Sequence, residues 1–209
     1  MNNKGKTKEM VQLSLLGALI FILAFTPFIG YIPLGVTRAT TIHIPVIIGS
    51  ILLGPKKGAI LGFLFGLTSL ITNTVNPTLT SFVFTPFFSI GETSGNFFSL
   101  VICFIPRMLI GVFPYYVYTG LNRMKANTSV SLACAGIVGS LTNTLLVMNL
   151  IYVFFAETYA QAKEVSVDAL YGVILSVIGV NGVPEALVAG ILTVFIVQAL
   201  FKLNKTSRA

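Results

Sequence analysis

Apolar runs of about the length needed to cross a lipid bilayer alternate with short polar stretches from one end of the chain to the other. A helix needs about 20 apolar residues to cross the hydrocarbon core. On that measure the pattern predicts six spans at about 10–27, 43–54, 58–73, 97–119, 129–155 and 180–203. The second is short and ends in the turn Gly54-Pro55, with the next run resuming at Gly58. Lys4, Lys6 and Lys8 ahead of the first run resemble the start of a signal peptide, but no small-residue cleavage site follows, so the run is read as the first span. The expectation is one all-α integral membrane domain, residues 1–209, with six helices in a compact bundle.

Composition agrees with this pattern. The 209 residues are 55% apolar and 9% charged, against roughly 25% charged in a soluble domain, and the mean hydropathy is +0.92. Six spans and their connections occupy the length and leave no room for a soluble catalytic domain. A nucleotide-binding Gly-rich loop is not expected either, because the nearest string, Gly54-Pro55-Lys56-Lys57-Gly58, has the wrong spacing. Cys103 and Cys134 lie in apolar runs and are expected as buried thiols. A lone His43 without clustered Cys, Asp or Glu does not predict a metal site.

The net charge of +7 reads as topology rather than as affinity for nucleic acid. With six crossings, ten of the thirteen basic residues fall on one side: Lys4, Lys6, Lys8, Lys56, Lys57, Arg123, Lys125, Lys202, Lys205 and Arg208. Basic loops stay cytoplasmic, so both termini are placed there. Spans two and three could instead form a re-entrant hairpin, but that would sink Lys56 and Lys57 at about 2.5–3.5 kcal/mol each at mid-bilayer; full crossings are preferred. The outer loops, about Phe28 to Ile42, Asn73 to Asn96 and Ala156 to Gly179, are longer and rich in aromatic and hydroxyl side chains. Such loops either cap an outward-facing site or serve as interfacial connectors.

Arg107 lies about ten residues into span four, where a guanidinium requires a partner or an aqueous cavity. It fits a carboxylate bidentately and stays charged when buried, which makes it a candidate contact for an anionic ligand. The competing role is an internal ion pair, for which Glu185 in span six has the matching depth. Asn143 in mid-span five and Asn73 at the end of span three can read hydroxyl or amide groups of a ligand, or tie helices and loops together. Ser14 and Ala18 in span one form a small-xxx-small pair, as do Gly62 and Gly66 in span three, and such pairs permit close helix approach within the chain or against a partner.

With these features placed, nearly the whole chain resembles the substrate-binding S component of energy-coupling factor (ECF) vitamin transporters. The residues that carry the resemblance are the Lys-rich start, the run His43-Ile44-Pro45-Val46-Ile47-Ile48-Gly49 leading into Leu53-Gly54-Pro55-Lys56-Lys57-Gly58-Ala59, and Pro106-Arg107 followed by Gly111. Within the family, the strings Tyr31-Ile32-Pro33-Leu34-Gly35, Asn73-Thr74-Val75-Asn76-Pro77 and Asn181-Gly182-Val183-Pro184-Glu185-Ala186 resemble pantothenate-specific members. The resemblance implies six helices around a vitamin site near the outer face, gated by the first two outer loops. It implies binding of pantothenate or a related vitamin through residues among Arg107, Asn143, Asn73, Asn76, Tyr31 and Glu185. It also implies a bacterial plasma-membrane location and a separate energising module of a transmembrane T component and two ATPases, which use the ATP; no cofactor is expected in this chain. Ser14 and Ala18 would dock the T component, although the family usually has two alanines there. Other readings are an S component for another vitamin such as riboflavin, or a small secondary transporter, for which only Arg107 and Glu185 could couple ions. A membrane enzyme would need a nucleophile, base or metal constellation that the sequence lacks.

Overall fold

A computed structural model describes residues 3–26, 30–34, 37–91 and 93–206. It is an all-α membrane fold with eight α-helices among the described residues: α1 (Asn3–Phe25), α2 (His43–Leu53), α3 (Pro55–Val75), α4 (Phe97–Ile110), α5 (Phe113–Arg123), α6 (Thr128–Ala162), α7 (Val167–Val177) and α8 (Val183–Thr206). Among the described residues, five helical stretches are long and apolar enough to cross a membrane, Gly5–Phe25, Pro55–Val75, Phe97–Arg123, Thr128–Ala162 and Val167–Leu203, and His43–Leu53 is a shorter apolar helix.

Helix α2 departs most from a lipid-facing span. Every residue from His43 to Ile51 is buried; at 1.5 Å per residue its 11 residues extend about 16 Å, half of a hydrocarbon core. A hairpin of β1 (Tyr31–Leu34) and β2 (Thr37–Thr40), antiparallel with Tyr31 opposite Thr40, precedes it. The chain leaves α2 through Gly54 at φ +88°, the left-handed region glycine tolerates, with Pro55 starting α3. There Lys57 pairs with Glu9 near the start of α1, so α2 returns the chain to the end at which α1 begins.

Helices α3 and α4 meet backbone to backbone. A Cβ on Gly62 would lie 2.1 Å from the Arg107 carbonyl oxygen, and one on Gly58 would lie 1.9 Å from that of Gly111. With Gly66 facing Phe104, the four-residue spacing makes one glycine stripe along α3, and that stripe draws the Arg107 segment against α3. The N-terminus of α4 is fixed by Asn96, whose side chain accepts from Phe98 N–H at 2.8 Å while Ser99 Oγ accepts from Asn96 N–H at 3.0 Å, a reciprocal capping box.

The expected third outer loop, Ala156 to Gly179, is instead mostly helical. Helix α6 continues to Ala162 with a kink at Phe155 (φ −136°, ψ 24°), and α7 follows after a short turn. The reason is burial: Leu170 and Ile174 of α7 pack with Phe155, Tyr159 and Ala160 in one apolar cluster. A bilayer-length rule ends α6 near Phe155, but its 35 residues extend about 50 Å. Between α7 and α8 the chain takes a wide π turn, Ile178–Gly182, in which Val183 N–H bonds the Ile178 carbonyl. Pro184 has no N–H to continue an α-helical pattern there. A second short hairpin, β3 (Ser89–Ile90) with β4 (Thr93–Ser94), lies in the loop after α3.

Candidate functional site

A cavity of about 400 Å³ opens among α3, α4, α6, the π turn, α8 and the loop after α3, within the range of about 300–1,000 Å³ common to small-molecule sites. Four residues singled out from the sequence line it: Arg107, Asn143, Asn73 and Glu185. Asn76 does not; it is exposed at the C-terminus of α3. Tyr31 contributes backbone to β1, and its side chain lies outside the described residues.

Arg107 is the deep cation, with only 6% of its surface exposed. Its Nη1 donates to the Ile102 carbonyl at 2.6 Å. The guanidinium carbon lies 4.9 Å from the Phe84 ring centroid and 5.7 Å from that of Phe65, so the negative faces of two aromatic rings favour the charge. The sequence left open an ion pair with Glu185. Instead, Glu185 Oε1 accepts from the backbone N–H of Thr40 at 2.6 Å, tying α8 to the end of the β1–β2 hairpin.

The two asparagines differ in their surroundings. Asn73 is held by its own neighbours: Nδ2 donates to the Ser69 carbonyl at 2.8 Å and Oδ1 accepts from Ser81 Oγ at 2.8 Å. Ser81 Oγ in turn accepts from Thr78 N–H at 2.8 Å, so Asn73 fastens the loop after α3 to that helix. Asn143 is buried in the middle of α6, and its Oδ1 has no hydrogen-bond partner among the described residues. Thr72 Oγ1, also on the cavity wall, is in the same state. A buried acceptor without a donor is costly, and a hydroxyl or amide N–H of a bound molecule would remove that cost at Asn143. The remaining wall is largely apolar, including Val147, Met148 and Ile151.

Several cavity residues were not singled out from the sequence. Lys163, just past the end of α6, reaches the wall with its ammonium 5.8 Å from the Tyr159 ring centroid. Its assignment to an outer loop hid it, because only the continuation of α6 past Phe155 brings it back over the cavity. Asn181 also lines the wall; its spacing four residues before Glu185 places the two on one helical face and was the available signal. Thr40 completes the hairpin side.

Ser14 and Ala18 are exposed on α1, whereas Gly17 faces inward, where an added Cβ would meet Leu64 at 3.3 Å. Gly62 and Gly66 serve internal packing. Small residues thus occur on both exposed and packed helix faces in this fold.

Comparison with known proteins agrees with this architecture. The family model described as the substrate-specific component of ECF transporters matches residues 8–197. The chain is 38% identical over 206 residues to the pantothenic acid transporter PanT of Lactococcus lactis subsp. cremoris, covering 98% of this chain and 99% of that protein. It is 27% identical over 203 residues to the pantothenate transporter PanT of Leuconostoc mesenteroides, covering 92% and 91%. A multi-pass membrane bundle, a deeply buried cation on the cavity wall and a match over nearly the full length lead to one family: this chain belongs to the substrate-specific components of ECF transporters.

Proposed function

We propose that the chain binds pantothenate as the S component of an ECF importer, with the cavity as the binding site. The observation that carries this reading is that one cavity is lined both by a buried, ring-flanked guanidinium, Arg107, and by Asn143, whose Oδ1 has no donor among the described residues. Pantothenate has one carboxylate, one secondary amide and two hydroxyls. Arg107 takes the carboxylate, and Asn143 Oδ1 accepts from a hydroxyl or the amide N–H. Thr72 adds a neutral polar partner, and Val147, Met148 and Ile151 cover the ligand's methyl-bearing carbons.

In this reading the protein crosses the bacterial cell membrane six times, the sixth crossing being α2 completed by the β1–β2 hairpin. Both termini are cytoplasmic, and the cavity opens outward. Transport is energised by a T component, docked on Ser14 and Ala18 of α1, and by two ATPases. Family resemblance and the one-sided distribution of basic residues support this arrangement. The direct test is to purify the protein alone, denature it and identify the released small molecule by mass spectrometry. Pantothenate is expected; riboflavin or another vitamin would keep the family and overturn the specificity.

A further inference from the structure

We propose that Pro106 is a positioning residue for Arg107: by lacking an N–H, it leaves the Ile102 carbonyl for the guanidinium. In an α-helix the carbonyl of residue i accepts from the N–H of residue i+4. Within α4 the donor for Ile102 would be residue 106, which is proline and has none. The same carbonyl accepts from Arg107 Nη1 at 2.6 Å, and Ile102 is fully buried. A buried carbonyl that loses its helical donor needs another, and the next side chain along supplies it with a charge-assisted bond. The guanidinium is thereby folded back along its own helix, between Phe84 and Phe65 and against the cavity. Proline and arginine act as a unit in which the first creates the acceptor that orients the second.

An N–H at position 106 would change this. A carbonyl has two lone pairs, so the restored amide would share the acceptor rather than evict the guanidinium. The helical bond would nevertheless turn the carbonyl along the helix axis, away from the side chain, and the orienting contact would weaken. The inference rests on the reading that Arg107 receives the ligand's carboxylate.

The test compares wild type with Pro106→Ala, with a backbone ester at position 106 made by incorporating the α-hydroxy analogue of alanine, and with Arg107→Gln. Each is purified, its thermal unfolding is followed, and its affinity is measured for pantothenate and for the analogue in which the carboxylate is replaced by an alcohol. Pro106→Ala should unfold at a temperature as high as wild type or higher, because alanine favours a helix interior. It should nonetheless bind pantothenate about tenfold more weakly and lose a similar factor of preference over the alcohol. The ester variant has neither the ring nor the N–H and should regain both affinity and preference. A folded Pro106→Ala protein with wild-type preference would overturn the proposal. So would an ester variant that is no better than Pro106→Ala, or, if Pro106→Ala gives no folded protein, one whose preference falls below that of wild type. Arg107→Gln separates the two levels: if it keeps the preference for the carboxylate, the reading of the site fails, whereas its loss there with an unaffected Pro106→Ala leaves that reading intact and removes only the role of Pro106.

Discussion

Arg107 and Asn143 are both buried polar residues within apolar helices, yet substitution at the two positions should have different consequences. Truncating one member of a buried, hydrogen-bonded charge pair costs roughly 2–5 kcal/mol, about thirty-fold to several thousand-fold in affinity. Arg107→Gln should therefore weaken pantothenate by at least thirty-fold in a titration of the purified protein, and should affect the neutral alcohol analogue much less. An unchanged ratio between the two ligands in a folded variant would remove Arg107 from carboxylate recognition. Asn143 offers a neutral acceptor, and a neutral hydrogen bond contributes only about 0.5–1.5 kcal/mol. Asn143→Ala should cost about three- to tenfold for both ligands alike, since both retain the hydroxyls and the amide. Saturating pantothenate should therefore raise the unfolding temperature of Asn143→Ala by less than it raises that of wild type.

Between elements, the glycine stripe of α3 and the hairpin tie at Glu185 are the features most open to test. A Cβ at Gly62 would press on backbone atoms of α4, the Arg107 carbonyl oxygen at 2.1 Å and Met108 Cα at 2.7 Å. Backbone cannot rotate aside as a side chain can, so Gly62→Ala should destabilise the protein by about 1–3 kcal/mol, the usual cost of overpacking, and weaken binding by moving Arg107. Gly120→Ala, where nothing lies within 4 Å of the added carbon, should do neither; equal unfolding temperatures for the two variants would mean that α3 and α4 separate easily. At the other end of the cavity, Glu185→Ala removes the acceptor of Thr40 N–H. Hydrogen exchange at Thr40 should quicken in that variant while exchange in α6 stays slow. These elements were unevenly legible in the sequence. Arg107 and Asn143 stand out because a polar side chain inside an apolar run is rare, and four of the six candidate residues do meet at one cavity. The hairpin and α7 were less visible because apolar run length locates spans: the hairpin is none, and α7 joins α8 through the π turn in one apolar stretch, Val167–Leu203, whose internal break run length does not mark. Leu170 and Ile174, one turn apart, bury a single stripe of α7 while most of the helix stays exposed, a pattern that bilayer length does not register. The roles of Asn73 and Glu185 depend on partners eight and 145 residues away in sequence, beyond the reach of any local spacing.

For the molecule as a whole, the proposed assembly gives α1 a part in transport that is separate from binding. Its inner face packs on α2 and α3, with Gly17 against Leu64, while Ser14 and Ala18 lie one turn apart on the opposite, exposed face. In the proposed assembly this exposed face meets the T component, and small side chains let the two backbones approach closely. Among the described residues, none of α1 lines the ligand cavity. A bulky residue at position 18 should therefore obstruct docking without reaching the site. Ala18→Trp, reconstituted in liposomes with the T component and the ATPases, should lose ATP-dependent pantothenate uptake, and the same variant purified alone should keep wild-type affinity. Bulk at a lipid-facing surface needs its own control, for which Phe195→Trp is suited because Phe195 lies on α8 and is 69% exposed; it should leave both uptake and binding intact. Loss of affinity in Ala18→Trp would mean that α1 supports the cavity through the bundle, whereas full uptake would place the docking surface elsewhere. The division of labour also predicts the behaviour of the wild-type protein alone: liposomes containing only this chain should bind pantothenate without concentrating it, because the energy for accumulation comes from the partners. Accumulation against a gradient in their absence would instead require ion coupling through the charged residues of the bundle, and would overturn the assignment of energy supply to a separate module.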